Sequence, residues 1–162
     1  MIKRASSTLD LSENIFAFIA SILIVFMSVS IITEVFSRLL FNISFSWVHE
    51  LNEYTLLYIP FLTAAWLLRD NEHIVIDLLE DVLSPRVKYV LDILIIFIGI
   101  FVSAVLVWYG ILATVDYFVN GIRSQTNLHV PKAYVVVIIP LGSFLLLLEF
   151  IRSFYRKITD TK

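Results

Sequence analysis

Long runs without charge, separated by short charged clusters, are the feature that most limits how this chain can fold. Hydrophobic residues make up 59% of its 162 residues, whereas a soluble domain is typically about 45–50% apolar. Such runs are typical of membrane-spanning helices. The sequence therefore predicts an all-α integral membrane protein with four transmembrane helices and an amphipathic interfacial helix on the cytoplasmic side. The predicted spans cover about 15–33, 47–68, 89–115 and 130–150 of a single membrane domain, 1–162.

The second predicted span is the least regular of the four. Its charge-free run, 54–68, makes a helix of about 22 Å, which is too short for a hydrocarbon core of about 30 Å. The helix must therefore begin near Trp47 and include Glu50 and Glu53. Trp47 and Trp66 then lie about 28 Å apart along the helix, the spacing of the two aromatic belts of one bilayer.

The fourth predicted span contains a proline, Pro140, in its middle. Proline has no N–H to donate, and its ring collides with the carbonyl group four residues earlier. We therefore expect a kink in this helix.

The segment at 73–83, after the second span, has an amphipathic pattern. Apolar side chains such as Leu79 fill one arc of a helical wheel, and His73 and Asp77 lie on the opposite arc. This pattern predicts a helix of about three turns at the membrane interface. Its polar arc is acidic, whereas helices that bind lipid surfaces are usually basic. We therefore expect protein, rather than anionic lipid, to contact that arc.

Lysine and arginine are unevenly distributed between the two sides of the predicted topology. Nine lie in the N-terminal segment, the loop after the second span and the C-terminal tail, against three in the other two loops. Basic residues accumulate on the cytoplasmic side of membrane proteins. Both termini and the amphipathic segment are therefore predicted to be cytoplasmic.

Composition and motifs disfavour several classes of function. The chain has no cysteine, which excludes disulfides, thiol catalysis and cysteine-ligated metals, and it has no basic tract for nucleic acid. A haem held at mid-depth needs inward-facing histidines, but His49, His73 and His129 lie in loops or at a helix end. No nucleophile–base pair, phosphate loop or metal-ligand cluster is visible. The sequence therefore predicts neither an enzyme nor a cofactor.

Acidic residues near the span ends are the main candidates for proton or ion chemistry. Transporters usually place ionisable groups deep in the membrane. Here Glu50, Glu53, Asp92 and Asp116 all lie near a span end, and the span centres carry no charge. This disfavours a self-sufficient proton-coupled antiporter and favours structural or interfacial roles for these carboxylates. The residues alone indicate a small helical membrane protein without its own active site, as accessory subunits commonly are.

Three stretches around the second span form a recognisable pattern. They read WVHEL at 47–51, FLTAAWLLR at 61–69 and HIVIDLL at 73–79. This pattern resembles the small membrane subunit of TRAP (tripartite ATP-independent periplasmic) transporters, in which a tryptophan and an acidic residue open the second span. In that family an arginine closes the span and a His-Ile-x-x-Asp segment begins the next loop. The candidate subunit-interface or structural residues are Trp47, Glu50, Glu53, Arg69, His73, Asp77 and Leu79.

The resemblance implies a partner set and a location. It implies a large membrane subunit that carries the sodium and substrate sites, and a periplasmic binding protein that delivers an organic acid of the C4-dicarboxylate or sialic acid class. The small subunit would be a non-catalytic, multi-pass scaffold in the bacterial inner membrane, within the lipid bilayer. The overall pattern is most similar to the sialic-acid branch. The alternative reading is an independent small four-helix exporter that acts as a homo-oligomer.

Overall fold

The computed structural model describes residues 2–71, 85–126 and 128–159, and within these residues the chain is helical apart from the connections between helices. The predicted all-α class is confirmed for this part of the chain. The predicted amphipathic helix at 73–83 lies outside the described residues and stays a prediction. The helices are α1 (Ile2–Phe41), α2 (Ser46–Asn71), α3 (Pro85–Val119), α4 (Lys132–Val136) and α5 (Ile138–Thr159).

The first helix extends well beyond the predicted span at 15–33. It continues through Glu34 and Arg38, because a charge ends an apolar run without ending a helix. These two side chains form an ion pair one turn apart, a spacing that stabilises helices. The helix stops where Asn42 adopts a left-handed backbone conformation, with φ of 57°, as residues just beyond a helix C-terminus often do.

The break in the last predicted span lies one turn before the proline that causes it. α4 ends at Val136 and α5 begins at Ile138. Pro140 has no N–H to donate to the Val136 carbonyl, and its ring crowds that carbonyl. The sequence predicted a kink at Pro140; the structure has a one-residue turn, at Val137, between two helices.

Within the described part of the chain, three segments are long and apolar enough to cross a membrane: Thr8–Phe41, Tyr89–Val119 and Lys132–Thr159. α2 is not among them. Its 26 residues give about 39 Å of helix, which is sufficient length, but its first two turns contain charged residues and its composition is less apolar. The predicted fourth span therefore stays a prediction.

The helices pack as an inner pair flanked by two outer helices. α2 packs against both α1 and α5, and α3 packs along α5. The buried core joins Ala20 of α1, Leu62 of α2 and Ile138 of α5. α2 and α5 approach so closely at Gly142 that a Cβ there would lie 2.2 Å from the Phe61 carbonyl oxygen. Small residues of this kind allow close helix packing in a membrane.

Cross-helix contacts define two ends of the bundle. At the end that we call the terminal end, the beginning of α1 meets the last turns of α2 and α5. At the opposite end, the loop end, the connection between α1 and α2 lies near the connection between α3 and α4. Nearly all of the charged side chains that make described contacts lie at one of these two ends.

Candidate functional site

A buried ionic cluster at the terminal end connects α1 to α2. The guanidinium of Arg69 donates to the Glu13 carboxylate at 2.8 Å and to the Asn14 side-chain oxygen at 2.6 Å. It also donates to the Asp10 backbone carbonyl at 3.3 Å. Arg69 therefore joins the last turn of α2 to three polar residues of α1.

The same cluster extends onto α5. Arg152 donates to the Asp10 carboxylate at 2.6 Å and to Glu149 at 3.2 Å. Arg156 donates to the other Glu149 oxygen at 2.7 Å. Three helices are therefore held together by charge-assisted hydrogen bonds, which are stronger than neutral ones. We call this set the terminal cluster; its members are Asp10, Glu13, Arg69, Glu149, Arg152 and Arg156.

The terminal cluster is balanced in charge and closed to solvent at its centre. It contains three carboxylates and three guanidinium groups, and the side chains of Glu13 and Glu149 are fully buried. The Oε1 atom of Glu13 has no hydrogen-bond partner among the described residues. Buried charges require such pairing, because an unpaired one is costly to remove from water.

One further ion pair at this end attaches the outer helix α3. Lys157 of α5 donates to the Asp92 carboxylate at 2.6 Å. Both side chains are mostly buried. The terminal end therefore has ionic contacts to all four long helices.

The loop end has an open cleft of about 430 Å³. It lies between the end of α1, the beginning of α2 and the connection after α3. Three carboxylates line it, those of Glu34, Glu50 and Glu53, together with Arg38 and His49. The two ion pairs here, Arg38 with Glu34 and His49 with Glu53, each join residues one turn apart on a single helix.

Glu50 attaches the long connection between α3 and α4 to the beginning of α2. Its carboxylate accepts a hydrogen bond from the Leu128 backbone N–H at 3.1 Å, and Glu50 itself is buried. A second contact nearby joins the hydroxyls of Tyr54 and Thr126 at 3.4 Å. Charged acceptors hold backbone donors firmly, so this carboxylate positions the connection over α2.

Most of the chain, including the loop end and part of the terminal cluster, matches a known protein family. Residues 27–160 match the family described as tripartite ATP-independent periplasmic transporters, DctQ component. The chain belongs to the DctQ family. No curated protein matches it. The resemblance found in the sequence is thereby confirmed, and the chain is a small component of a TRAP transporter and a membrane protein.

The site residues predicted for this DctQ protein lie at different places in the structure. Arg69 is in the terminal cluster and Glu50 holds the α3–α4 connection. Glu53 lies on the outer side of α2, where its carboxylate is 3.5 Å from the His49 ring. Trp47 is half-exposed at the beginning of α2 and its ring contacts Phe45, with centroids 6.1 Å apart. The remaining candidates, His73, Asp77 and Leu79, lie outside the described residues.

Arg38 pairs within its own helix and not across the cleft. It lines the cleft together with the acids at the beginning of α2, but its ion pair is with Glu34 of α1. The reason is that α1 stays helical to Phe41, which places Glu34 one turn before Arg38. A local partner on the same helix face is reached at less cost in side-chain entropy than one across a cleft.

Glu13 and Glu149, the two most deeply buried carboxylates of the described residues, were not among the predicted site residues. Their spacings did contain a signal. Arg152 and Arg156 lie three and seven residues after Glu149, which places all three on one face of α5. Asp10 and Glu13 are likewise three residues apart on α1. Charged stripes on otherwise apolar helices indicate a polar contact between helices.

Proposed function

We propose that this DctQ protein is the non-catalytic scaffold subunit of a sodium-coupled TRAP transporter. It would pair with the large membrane subunit, which would bind sodium and substrate. The substrate would be an organic acid of the C4-dicarboxylate or sialic acid class, delivered by a periplasmic binding protein. The family match carries this proposal.

The position of the charges supports a scaffold rather than a transport pathway. The apolar stretches of the helices contain no acidic or basic side chain at their centres, where a substrate or ion pathway usually has one. The buried carboxylates at the terminal end are instead paired with arginines between helices. Such pairing fixes helices relative to one another, as a stationary subunit requires.

For the membrane arrangement, we propose that α2 is a fourth span and that both termini are cytoplasmic. α2 packs between α1 and α5, and a helix surrounded by protein needs fewer apolar residues than one surrounded by lipid. The terminal end would then face the cytoplasm of a bacterial inner membrane. The segment 73–83, with His73, Asp77 and Leu79, would lie along that surface.

Co-expression tests the scaffold proposal. The tagged chain is purified with and without the large subunit of the same transporter, and both samples are reconstituted for uptake with the binding protein. We expect a stable complex of the two subunits, and sodium-dependent uptake only when all three proteins are present. Substrate transport by the chain alone, as a homo-oligomer, would contradict the scaffold proposal and support an independent exporter.

Reporter fusions test the membrane arrangement. A reporter that is active only in the cytoplasm should be active at either terminus and inactive after Asn127. Four spans separate the two termini, whereas one span separates Asn127 from Lys162. Activity at Asn127 together with inactivity at Lys162 would overturn the proposed orientation. Activity at one terminus only would show that α2 does not cross the membrane.

A further inference from the structure

One face of α2 is exposed along the whole helix, although α2 is an inner helix. His49, Glu53, Leu56, Pro60 and Leu67 are all exposed. Their spacings of four, three, four and seven residues place them on one narrow stripe of a helix. Leu62 and Ala65, on the opposite side, are buried. We call this stripe the α2 face.

The α2 face combines an apolar middle with a charged end. Leu56 and Leu67 are 63% and 51% exposed, so the middle of the face is apolar. Glu53 adds a carboxylate whose side chain is 57% exposed, next to the acidic cleft of the loop end. Lipid tails satisfy the apolar part, but they offer nothing to a charge or to a hydrogen-bonding group.

Pro60 adds a second polar group to the middle of the α2 face. It lies within the helix and has no N–H for the Leu56 carbonyl one turn earlier. In a bilayer, a carbonyl that lacks a donor because of a proline usually accepts a hydrogen bond from a neighbouring helix or a nearby hydroxyl. A protein partner on this face would supply such a neighbour, whereas lipid would not.

The charge of the adjoining cleft identifies the chemistry of the partner. Three carboxylates and one guanidinium line the cleft, and Glu34 is already paired with Arg38. Glu50 is buried and directed to the Leu128 backbone. Glu53 is the carboxylate that faces outward, and its contact with His49 leaves both side chains more than half exposed. The complementary group is a lysine or arginine side chain.

We propose that the α2 face binds a transmembrane helix of the large TRAP membrane subunit, and that a lysine or arginine of this helix pairs with Glu53. This inference rests on the proposed function, because it takes the large subunit as the partner. It adds to that function by assigning the contact to one face of one helix. It also gives the two predicted acids different roles. Glu53 would contact the partner, and Glu50 would hold the connection between α3 and α4 within the chain.

Photo-crosslinking in the assembled complex tests the location of the contact. The photoreactive residue p-benzoylphenylalanine replaces Leu56 or Leu67 and, as a matched control, Val25 of α1, which is 62% exposed. Ser30 of α1 hydrogen-bonds to Asn52 of the antiparallel α2. Val25 lies five residues before Ser30 and Leu56 lies four residues after Asn52, so the two side chains lie at nearly the same depth in the membrane. We expect crosslinks to the large subunit from Leu56 and Leu67, with a yield at least about tenfold above that from Val25, since interface cores exclude lipid and solvent.

Charge reversal tests the chemistry of the contact. Glu53→Lys should reduce the yield of the two-subunit complex by about tenfold, because like charges at an interface oppose association. Glu53→Gln should reduce it less. Asp116→Lys is the control, since Asp116 is an exposed carboxylate on the outer helix α3, and its yield should match the wild type.

The outcomes separate this inference from the proposed function. A stable wild-type complex with crosslinks from Val25 and none from the α2 face would overturn the inference and leave the scaffold function intact. A normal complex yield for Glu53→Lys would overturn the assigned pairing. Failure of the wild-type chain to bind the large subunit at all would contradict the scaffold function itself, and the inference with it.

Discussion

The two ends of the bundle contain the same kinds of charged side chain, but they use them differently. At the terminal end, acids and arginines from three helices contact one another, and Glu13 and Glu149 are fully buried. At the loop end, both ion pairs join residues one turn apart on a single helix, and Arg38 is 60% exposed. The terminal end therefore holds helices together, whereas the loop end presents charge to a surface.

The difference follows from how the helices approach each other. α1, α2 and α5 meet closely enough at the terminal end for one arginine to reach an acid on another helix. Such pairs lose their hydration on folding, so each charge depends on its partner. An exposed pair keeps most of its hydration and contributes little. We therefore expect the loss of an ion-pair partner to be costly at the terminal end and mild at the loop end.

The largest expected effect is at Arg69. Arg69→Ala leaves the Glu13 carboxylate buried without its cation, and should lower the free energy of unfolding by about 3–5 kcal/mol. Denaturation of the purified chain by SDS measures this change. The double variant Arg69→Ala/Glu13→Leu removes both charges and should recover a large part of the loss. A loss below about 1 kcal/mol in the single variant would show that the terminal cluster does not hold the bundle.

An intermediate effect is expected at Glu50, the buried acid of the loop end. Glu50→Ala removes the acceptor of the Leu128 N–H and should cost about 1–3 kcal/mol. The α3–α4 connection should also become more accessible, seen as faster trypsin cleavage after Arg123, which is exposed. Glu50→Gln keeps an acceptor oxygen and should be cleaved at nearly the wild-type rate. Equal cleavage of all three proteins would contradict the positioning role of Glu50.

The smallest effect is expected at Arg38. Arg38→Ala removes an exposed pair within one helix and should change the unfolding free energy by less than about 0.5 kcal/mol. SDS denaturation of Arg38→Ala and Arg69→Ala under the same conditions compares their unfolding free energies. The comparison between the ends would fail if Arg38→Ala cost as much as Arg69→Ala, because local pairs would then be as important as those between helices.

Much of the fold follows from local sequence properties. The charge-free runs indicate helices in a membrane, and the requirement for sufficient helix length places the beginning of α2 near Trp47, one residue from its observed start at Ser46. Pro140 indicates the break between α4 and α5 through a missing N–H and a ring that crowds the carbonyl before it. The motif around the second span indicates the family. Each of these properties depends on residues within a few turns of one another.

Only the tertiary structure decided which charges are buried and what they contact. In the sequence, Glu13 and Glu53 are both acids near the end of an apolar run. Packing places Glu13 against Arg69, 56 residues away, and Arg152 against Asp10, 142 residues away, whereas Glu53 remains on an exposed face. Hydropathy fixes how deep a residue lies along a helix. The rotation of each helix and the neighbour it meets are set by packing across the bundle, so the division between a buried cluster and an exposed acid could not be derived from the sequence.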